Sequence, residues 1–363
     1  MFSHEQVVVR RGPESGLPIV VAVHSTAAGQ AIGGCRMAVY PDWRDGLDDA
    51  IRLSAAMTDK CALAGLPNGG GKTVIAVPPG FTGDREPALR DAGVVIDELN
   101  GAYATGPDVG TGPDDMMTIG TRTRWVFCRP VEAGGSGDSS PATAAGTVAA
   151  LRALCEVRFG SGDLSRRSFA VLGLGRVGGT VATLLAEAGA RLVVADVDES
   201  RRALAEAIGA RWVSPDDCRT AAVDVLVPAA MGGLLTPASV AALRCRAVAG
   251  PANNQLDAPG TAELLHRRGI LWAPDPVVSA GGIIHATGVE LRQLSEEAAM
   301  AEVAAIGDTL AALLRAAAET RVSPATIARD RAEAARGQVP TAQGQVPTAQ
   351  GRVPTARGQV SEG

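Results

Sequence analysis

Lysine is almost missing from this chain: of its 34 basic residues, 32 are arginine and only Lys60 and Lys72 are lysine. Arginine stays charged at any working pH, whereas a lysine can lose its proton when it is buried or set beside another cation. The two survivors, twelve positions apart in TDKCALAGLPNGGGKTV, therefore raise a question of proton chemistry. Cysteine is sparse too: Cys35, Cys61, Cys128, Cys155, Cys218 and Cys245 form no C-x-x-C pair. That spacing argues against zinc and against a disulfide framework, and lone cysteines such as Cys61 read as small buried apolar residues. The four histidines, His4, His24, His266 and His285, stand in no site context that would supply a His–Asp base. No apolar run approaches the roughly 18 residues of a membrane span, and the first residues, MFSHEQVVVRRGPESG, lack the pattern of an export signal. A cytoplasmic, reduced protein is expected. The net charge of −5 speaks against a nucleic-acid or anionic-membrane partner.

What is present is enough for two domains: 363 residues, 46% hydrophobic and 20% charged, as in a soluble globular protein. The first half mixes β-rich runs (LPIVVAVHST, GGCRMAVY) with helical segments, DWRDGLDDAIRLSAAMTDKCALAG and REPALRDAGVVIDELNG. Between the helices, NGGGKTVIAVPP reads as a glycine cluster leading into a buried strand, and YATGPDVGTGPDD follows as a loop. Small polar residues between Arg129 and Ser140 mark a hinge. Beyond it, a helix (PATAAGTVAALRALCEVRFG) precedes short apolar runs that alternate with helical segments, the pattern of a parallel sheet. A long Ala-rich helix pair from Gly288 to about Ala335 is expected to pack back towards the first domain. From Gly337 the heptapeptide GQVPTAQ repeats, with Gly and Pro in each copy and one Val to bury; it is expected to be disordered and dispensable for chemistry. The expected fold class is α/β: a substrate and catalytic domain over 1–134, a Rossmann dinucleotide-binding domain over 135–336 and a repeat tail over 337–363.

The cofactor expectation rests on SFAVLGLGRVGGTVATLLAEAGARLVVADVDES. Gly173, Gly175 and Gly178 follow a strand and open a helix, and Asp196 closes the next strand. In that context G-x-G-x-x-G is a dinucleotide fingerprint. Gly173 permits the tight turn, Gly175 lets a pyrophosphate approach the backbone, and the helix start at Arg176 and Val177 offers oriented N–H groups. Asp196 would accept from the adenosine ribose and repel a 2′-phosphate, which favours NAD over NADP.

A cofactor site does not name a reaction. Lys72 follows three glycines, so backbone or substrate can come close to it. Lys60, near a helix end, suits a point charge for a substrate carboxylate. Asp108, in TGPDVGTG, reads either as a turn residue or as a carboxylate that shuttles protons between the lysines and a substrate.

Several segments in order, GGCRMAVY, MTDKCALAGLPNGGGK, TGPDVGT, SPATAAG, GLGRVGG, VAGPANNQL and APDPVVSAGG, make the chain resemble the glutamate, leucine, valine and phenylalanine dehydrogenase family. The resemblance implies oxidative deamination of an L-amino acid to a 2-oxo acid and ammonia, with NAD as oxidant, in a homo-oligomer built through the first domain. By similarity, Lys60 binds the α-carboxylate. Lys72, its pKa lowered by burial and by Lys60, activates water, and Asp108 moves protons at the substrate nitrogen. Thr143 and Asn253 match positions that steady nicotinamide and substrate, Ala230 and Met231 the dinucleotide path, and Arg36 an approach to the cofactor from the facing domain. Ser279 departs from the family, which commonly has Asn there, and puts the fit of that turn in question. No cation is left over for a second substrate carboxylate, so a monocarboxylic substrate is expected. The segment GGIIHATGVELRQLSEE leans towards L-phenylalanine, with L-leucine or L-valine, or a silent NAD-binding regulator, as alternatives.

Overall fold

Two separate sheets form, and the computed structural model describes them through residues 3–230 and 232–337. The first contains β1 (Gln6–Arg11), β2 (Pro18–Ser25), β3 (Ala31–Val39), β4 (Gly69–Val77) and β5 (Tyr103–Pro107), in the order β1-β2-β4-β3-β5. β2 pairs antiparallel with β1 and with β4, whereas β3 lies parallel between β4 and β5. Helices α1 (Trp43–Leu63), α2 (Glu86–Asp97) and α3 (Pro113–Gly120) accompany this sheet. Asp42 caps α1 by accepting from the Arg44 amide, and Lys60 lies in its last turn.

Two expectations for this half need correction. The glycines before Lys72 do not lead into the strand; they are its first three residues, buried throughout. Gly70 shows the reason. A Cβ there would lie 2.1 Å from the Thr58 amide nitrogen and 2.4 Å from the Ser54 carbonyl oxygen, so only a bare backbone lets α1 lie this close on β4. The expected loop 103–115 is also mostly regular structure, with β5 on one side and α3 on the other. Tyr103 is fully buried, and its hydroxyl bonds Thr73 (3.2 Å) and Thr105 (3.0 Å), which draws that segment into the sheet.

The second sheet contains β6 (Ser168–Leu172), β7 (Arg191–Ala195), β8 (Arg211–Trp212), β9 (Val225–Pro228), β10 (Ala247–Val248) and β11 (Leu271–Trp272). All its pairs are parallel and its order is β11-β10-β9-β6-β7-β8. This is the doubly wound dinucleotide-binding order, and the strand sequence reverses between β6 and β9, where such folds hold their ligands. Helix α4 (Ser140–Phe159) enters this half, and α5 (Arg176–Glu187) follows the glycine turn. The apolar cluster around Leu151, Leu154 and Phe169 runs on through Cys61, Leu63 and Leu66 at the end of α1, so the two halves share packed surface. Among the described residues, no helix is long and apolar enough to cross a membrane.

The expected C-terminal helix pair is three helices, Glu296–Ala304, Ile306–Thr320 and Pro324–Gly337, preceded by a π-helical turn, Thr287–Leu291. The second of them stops at Arg321, in the left-handed conformation (φ 59°), and Pro324 opens the third. The last helix reaches Gly337; the rest of the repeat tail lies outside the described residues.

The π turn has a partner in the linker between the sheets. Glu290, with a side chain 3% exposed, accepts from the amides of Cys128 (2.6 Å) and Ser136 (2.8 Å) and from the Ser136 hydroxyl (2.7 Å). Arg129 adds an ion pair at 3.4 Å. One carboxylate thus pins both ends of residues 128–136. Replacing it by Ala leaves buried donors unpaired, so Glu290→Ala should lower stability by about 2 to 3 kcal/mol in urea-unfolding measurements.

Candidate functional site

Lys72 points from β4 into the space between the sheets, and its side chain is only 5% exposed. Its Nζ lies 2.8 Å from Oδ2 of Asp108, the first residue beyond β5. Gly34 makes room for this pair, since a Cβ there would come within 2.7 Å of the Asp108 Cβ and 3.3 Å of the Lys72 Nζ. The Thr111 hydroxyl accepts from the Asp108 amide (3.0 Å) and donates to the Cys35 carbonyl (2.7 Å), which ties the loop back to β3.

Burial pushes the Lys72 ammonium below the ordinary lysine range; Asp108 pulls the other way, and the charge of Arg36 acts with burial. The leading repelling cation is thus Arg36, where the resemblance had put Lys60. Burial works against ionisation of Asp108, but Lys72 and Arg36 outweigh it and hold its carboxyl below the usual carboxylate range. Arg36 itself bonds Asp108 Oδ2 through Nε (2.8 Å) and Asp49 Oδ2 through Nη1 (2.9 Å).

Lys60 reaches across the seam. Its Nζ donates to Oδ1 of Asn253 (2.8 Å), in the loop after β10. Ser279 donates its one hydroxyl proton chiefly to the Asp275 carbonyl (2.6 Å), with the same Asn253 oxygen a weaker second arm at 3.2 Å. The hydroxyl at this position is therefore held mainly by the turn that it closes. Asp275, 7% exposed, accepts from the Asn254 amide (2.8 Å). Burial raises its pKa and lowers that of Lys60, each opposed by the attraction between them.

These groups line one cavity of about 560 Å³, together with Thr143 at the start of α4, Arg176 and Val177 at the start of α5, and apolar Leu53, Met57 and Ile283. The Thr143 hydroxyl donates to the Ser139 carbonyl (2.9 Å), and Arg176 pairs with Asp138 at 3.6 Å. None of the histidines lines this cavity. His4 and His24 bond Ser54 (2.9 Å) and Thr58 (2.8 Å) of α1, and His285 bonds Glu296 (2.8 Å). All six cysteines are buried, and burial raises the Cys61 thiol to about 12, so it is no nucleophile.

The glycine turn is set by close backbone approaches. Gly173 takes φ +104° with Ala230 against it, at 2.8 Å from where a Cβ would stand. Gly175, the N-cap of α5, faces open space, which leaves room for a phosphate at the helix start. At Gly178 a Cβ would lie 2.1 Å from the Gly173 carbonyl oxygen, so this residue lets α5 pack on the turn. The Asp196 carboxylate accepts from the amides of Leu174 (2.5 Å) and Asp198 (2.9 Å), fixing it beside the turn. Met231 lies outside the described residues.

Comparison with known proteins gives two family matches. Residues 4–125 fit the Glu/Leu/Phe/Val dehydrogenase dimerisation domain, and residues 194–334 fit the Glutamate/Leucine/Phenylalanine/Valine dehydrogenase domain. The chain belongs to this dehydrogenase family. A phenylalanine dehydrogenase of Lysinibacillus sphaericus is 43% identical over 289 residues, 78% of this chain and 75% of that protein. A leucine dehydrogenase of Geobacillus stearothermophilus is 38% identical over 331 residues, 91% and 89% of the two chains. Among solved structures, L-tryptophan dehydrogenase from Nostoc punctiforme superposes with a TM-score of 0.78 at 34% identity, over 93% of this chain and 96% of that one. The family is one of oxidoreductases acting on amino acids, and the two-domain α/β fold agrees with it.

Reading residue types in order did not reveal the Arg36–Asp49 contact or the buried Asp275. The only signal for Asp275 was its place in APDPVVSAGG. The glycine turn offers a direct check by thermal unfolding. Gly178→Ala should cost about 2 to 3 kcal/mol through overpacking. Gly175→Ala, open on its Cβ side, should cost about 1 kcal/mol or less, the loss of a favoured cap residue.

Proposed function

We propose that this chain is a cytoplasmic, homo-oligomeric, NAD-dependent dehydrogenase that oxidatively deaminates a monocarboxylic apolar or aromatic L-amino acid, L-phenylalanine in first place, to the 2-oxo acid and ammonia. The observation that carries this reading is the convergence of Lys60, Lys72 and Asp108 on one cavity that also holds Arg176 and Val177 at the start of α5, next in the chain to the glycine turn. The match of residues 4–125 to a dimerisation domain supports assembly through the first sheet.

In this reading Lys60 offers a compact charge to the substrate α-carboxylate, with Asn253 beside it to orient the amino group. The substrate side chain lies along Leu53, Met57 and Ile283. Of the cavity cations, Arg36 is bound by two carboxylates and so is not free for a second substrate carboxylate, which supports a monocarboxylic substrate. NAD, when bound at the glycine turn, supplies the acceptor for the hydride from Cα. Lys72, already depressed by burial, takes a proton from the water that attacks the imine carbon. Asp108, 2.8 Å from Lys72, passes protons to and from the departing nitrogen. Because Lys72 must be neutral to accept a proton, deamination rises with pH through its depressed pKa.

Relatives named leucine dehydrogenase stand close behind the phenylalanine enzymes in identity, so a branched-chain substrate is the second reading. NADH formation followed by absorbance with L-Phe, L-Trp, L-Leu, L-Val and L-Glu decides between them; no turnover with any would leave a silent NAD-binding protein. Lys72→Arg keeps the charge but cannot release the proton. It should lower turnover by roughly 10²- to 10⁴-fold while NADH still binds by fluorescence titration, and near-wild-type deamination would refute this mechanism.

A further inference from the structure

Asp108 is held by two cations on one oxygen. Lys72 Nζ and Arg36 Nε both meet Oδ2 at 2.8 Å. The guanidinium is fastened from its other side, where Nη1 donates to Asp49 Oδ2 at 2.9 Å. That oxygen also accepts from the Tyr40 hydroxyl (2.8 Å), while Arg52 binds Asp49 Oδ1 (2.7 Å). The Arg36 side chain is 19% exposed and Asp49 22%, so the chain of contacts is largely shielded from water. A planar fork can serve two carboxylates in different directions at once, which an ammonium on a flexible stem does not do.

We propose that Arg36 is a positioning residue: anchored on Asp49, it holds Oδ2 of Asp108 against Lys72, turns Oδ1 to the substrate nitrogen, and keeps a permanent positive charge beside Lys72. This rests on the deamination reading above and replaces the expected contact of Arg36 with cofactor. The division of labour between the basic residues then has a reason. Arginine stands where the charge must remain, and lysine where it must be given up.

Of the remaining groups around Lys72 and Asp108, Lys60 adds positive charge at Lys72, but its own ammonium is likewise lowered by burial, so it is not a permanent cation as Arg36 is. On β3, burial raises the Cys35 thiol to about 12; Tyr40 is raised to about 12, and Tyr103 of β5 is raised as well, so all three stay neutral. Arg85 and Asp115, whose charges reach Cys35, pair with each other at 2.9 Å. From α1, Lys60 is bound to Asn253 and Arg52 to Asp49; from the second domain, Asp275 attracts Lys60, and Asp138 pairs with Arg176.

The test uses the full-length enzyme and its best amino-acid substrate. Arg36→Gln keeps a hydrogen-bond donor and removes the charge. The ascending limb of the kcat/KM against pH profile for deamination should move up by about one to two pH units, with kcat at neutral pH at least about tenfold lower and the NADH Kd within about threefold. Arg36→Ala should regain activity when guanidinium is added at millimolar, non-denaturing concentration. Asp49→Asn, which removes the anchor outside the cavity and with it one negative charge, should lower kcat at neutral pH by less than Arg36→Gln does, with the NADH Kd within about threefold, and it carries the comparison if Arg36 variants fold poorly. An unmoved limb in Arg36→Gln overturns the proposal, as does an undiminished kcat in Asp49→Asn or a loss of activity in Arg36→Ala that guanidinium does not restore. A wild-type enzyme inactive on every amino acid would instead overturn the deamination reading itself.

Discussion

The approach of α1 to β4 is the constraint on which the rest of the site depends. Gly70 has no side chain, so the helix backbone at Ser54 and Thr58 rests directly on the strand. Lys60 then emerges from the helix and Lys72 from the strand into the same cavity, although neither lies within a loop. Catalytic groups on helices and strands are held more rigidly than groups on loops. Only Asp108 is carried by a short loop, and Thr111 with the two cations restrains it.

Burying charges is costly unless each is paired, and here the pairing is deliberate in its asymmetry. Asp108 receives two cations, and Arg36 receives two carboxylates. Lys72 has one carboxylate, which it shares with an arginine, and is the group least favoured in its charged form. Burial and the charge of Arg36 lower the Lys72 ammonium, although Asp108, held ionised by Lys72 and Arg36, opposes them. Neither effect follows from a residue alone; both come from a three-membered cluster spread over β3, β4 and the end of β5.

Much of this was legible in the order of residues. The glycine turn with its strand, helix and terminal Asp196 is a local pattern, so its residues announce it, and the strand order confirms the fold class. The two spared lysines were visible as a compositional anomaly. What was not legible depends on contacts between distant segments. QVVVRR becomes β1 only because β2 is there to pair with it. Glycines 69–71 read as a cluster leading into the strand because glycine usually weakens strands; a helix packed against them makes them strand residues. The Arg36–Asp49 contact was not legible because nothing local reveals Asp49, thirteen residues away and a turn into α1. The break in the C-terminal helices comes from one left-handed residue, Arg321, of a type that rarely adopts that conformation.

The bond from Lys60 to Asn253 means that the proposed carboxylate subsite already has a resident acceptor. A ligand arriving there makes an exchange, trading a neutral amide oxygen for its own group. An anionic carboxylate wins that exchange through its charge. An amino-acid amide, an ester or a peptide carbonyl presents Lys60 with no more than Asn253 does, so it has little to gain by displacing it. If Lys60 binds the substrate carboxylate as proposed, the internal contact would favour free amino acids over their capped derivatives, through the protein's own side chain and with no steric barrier.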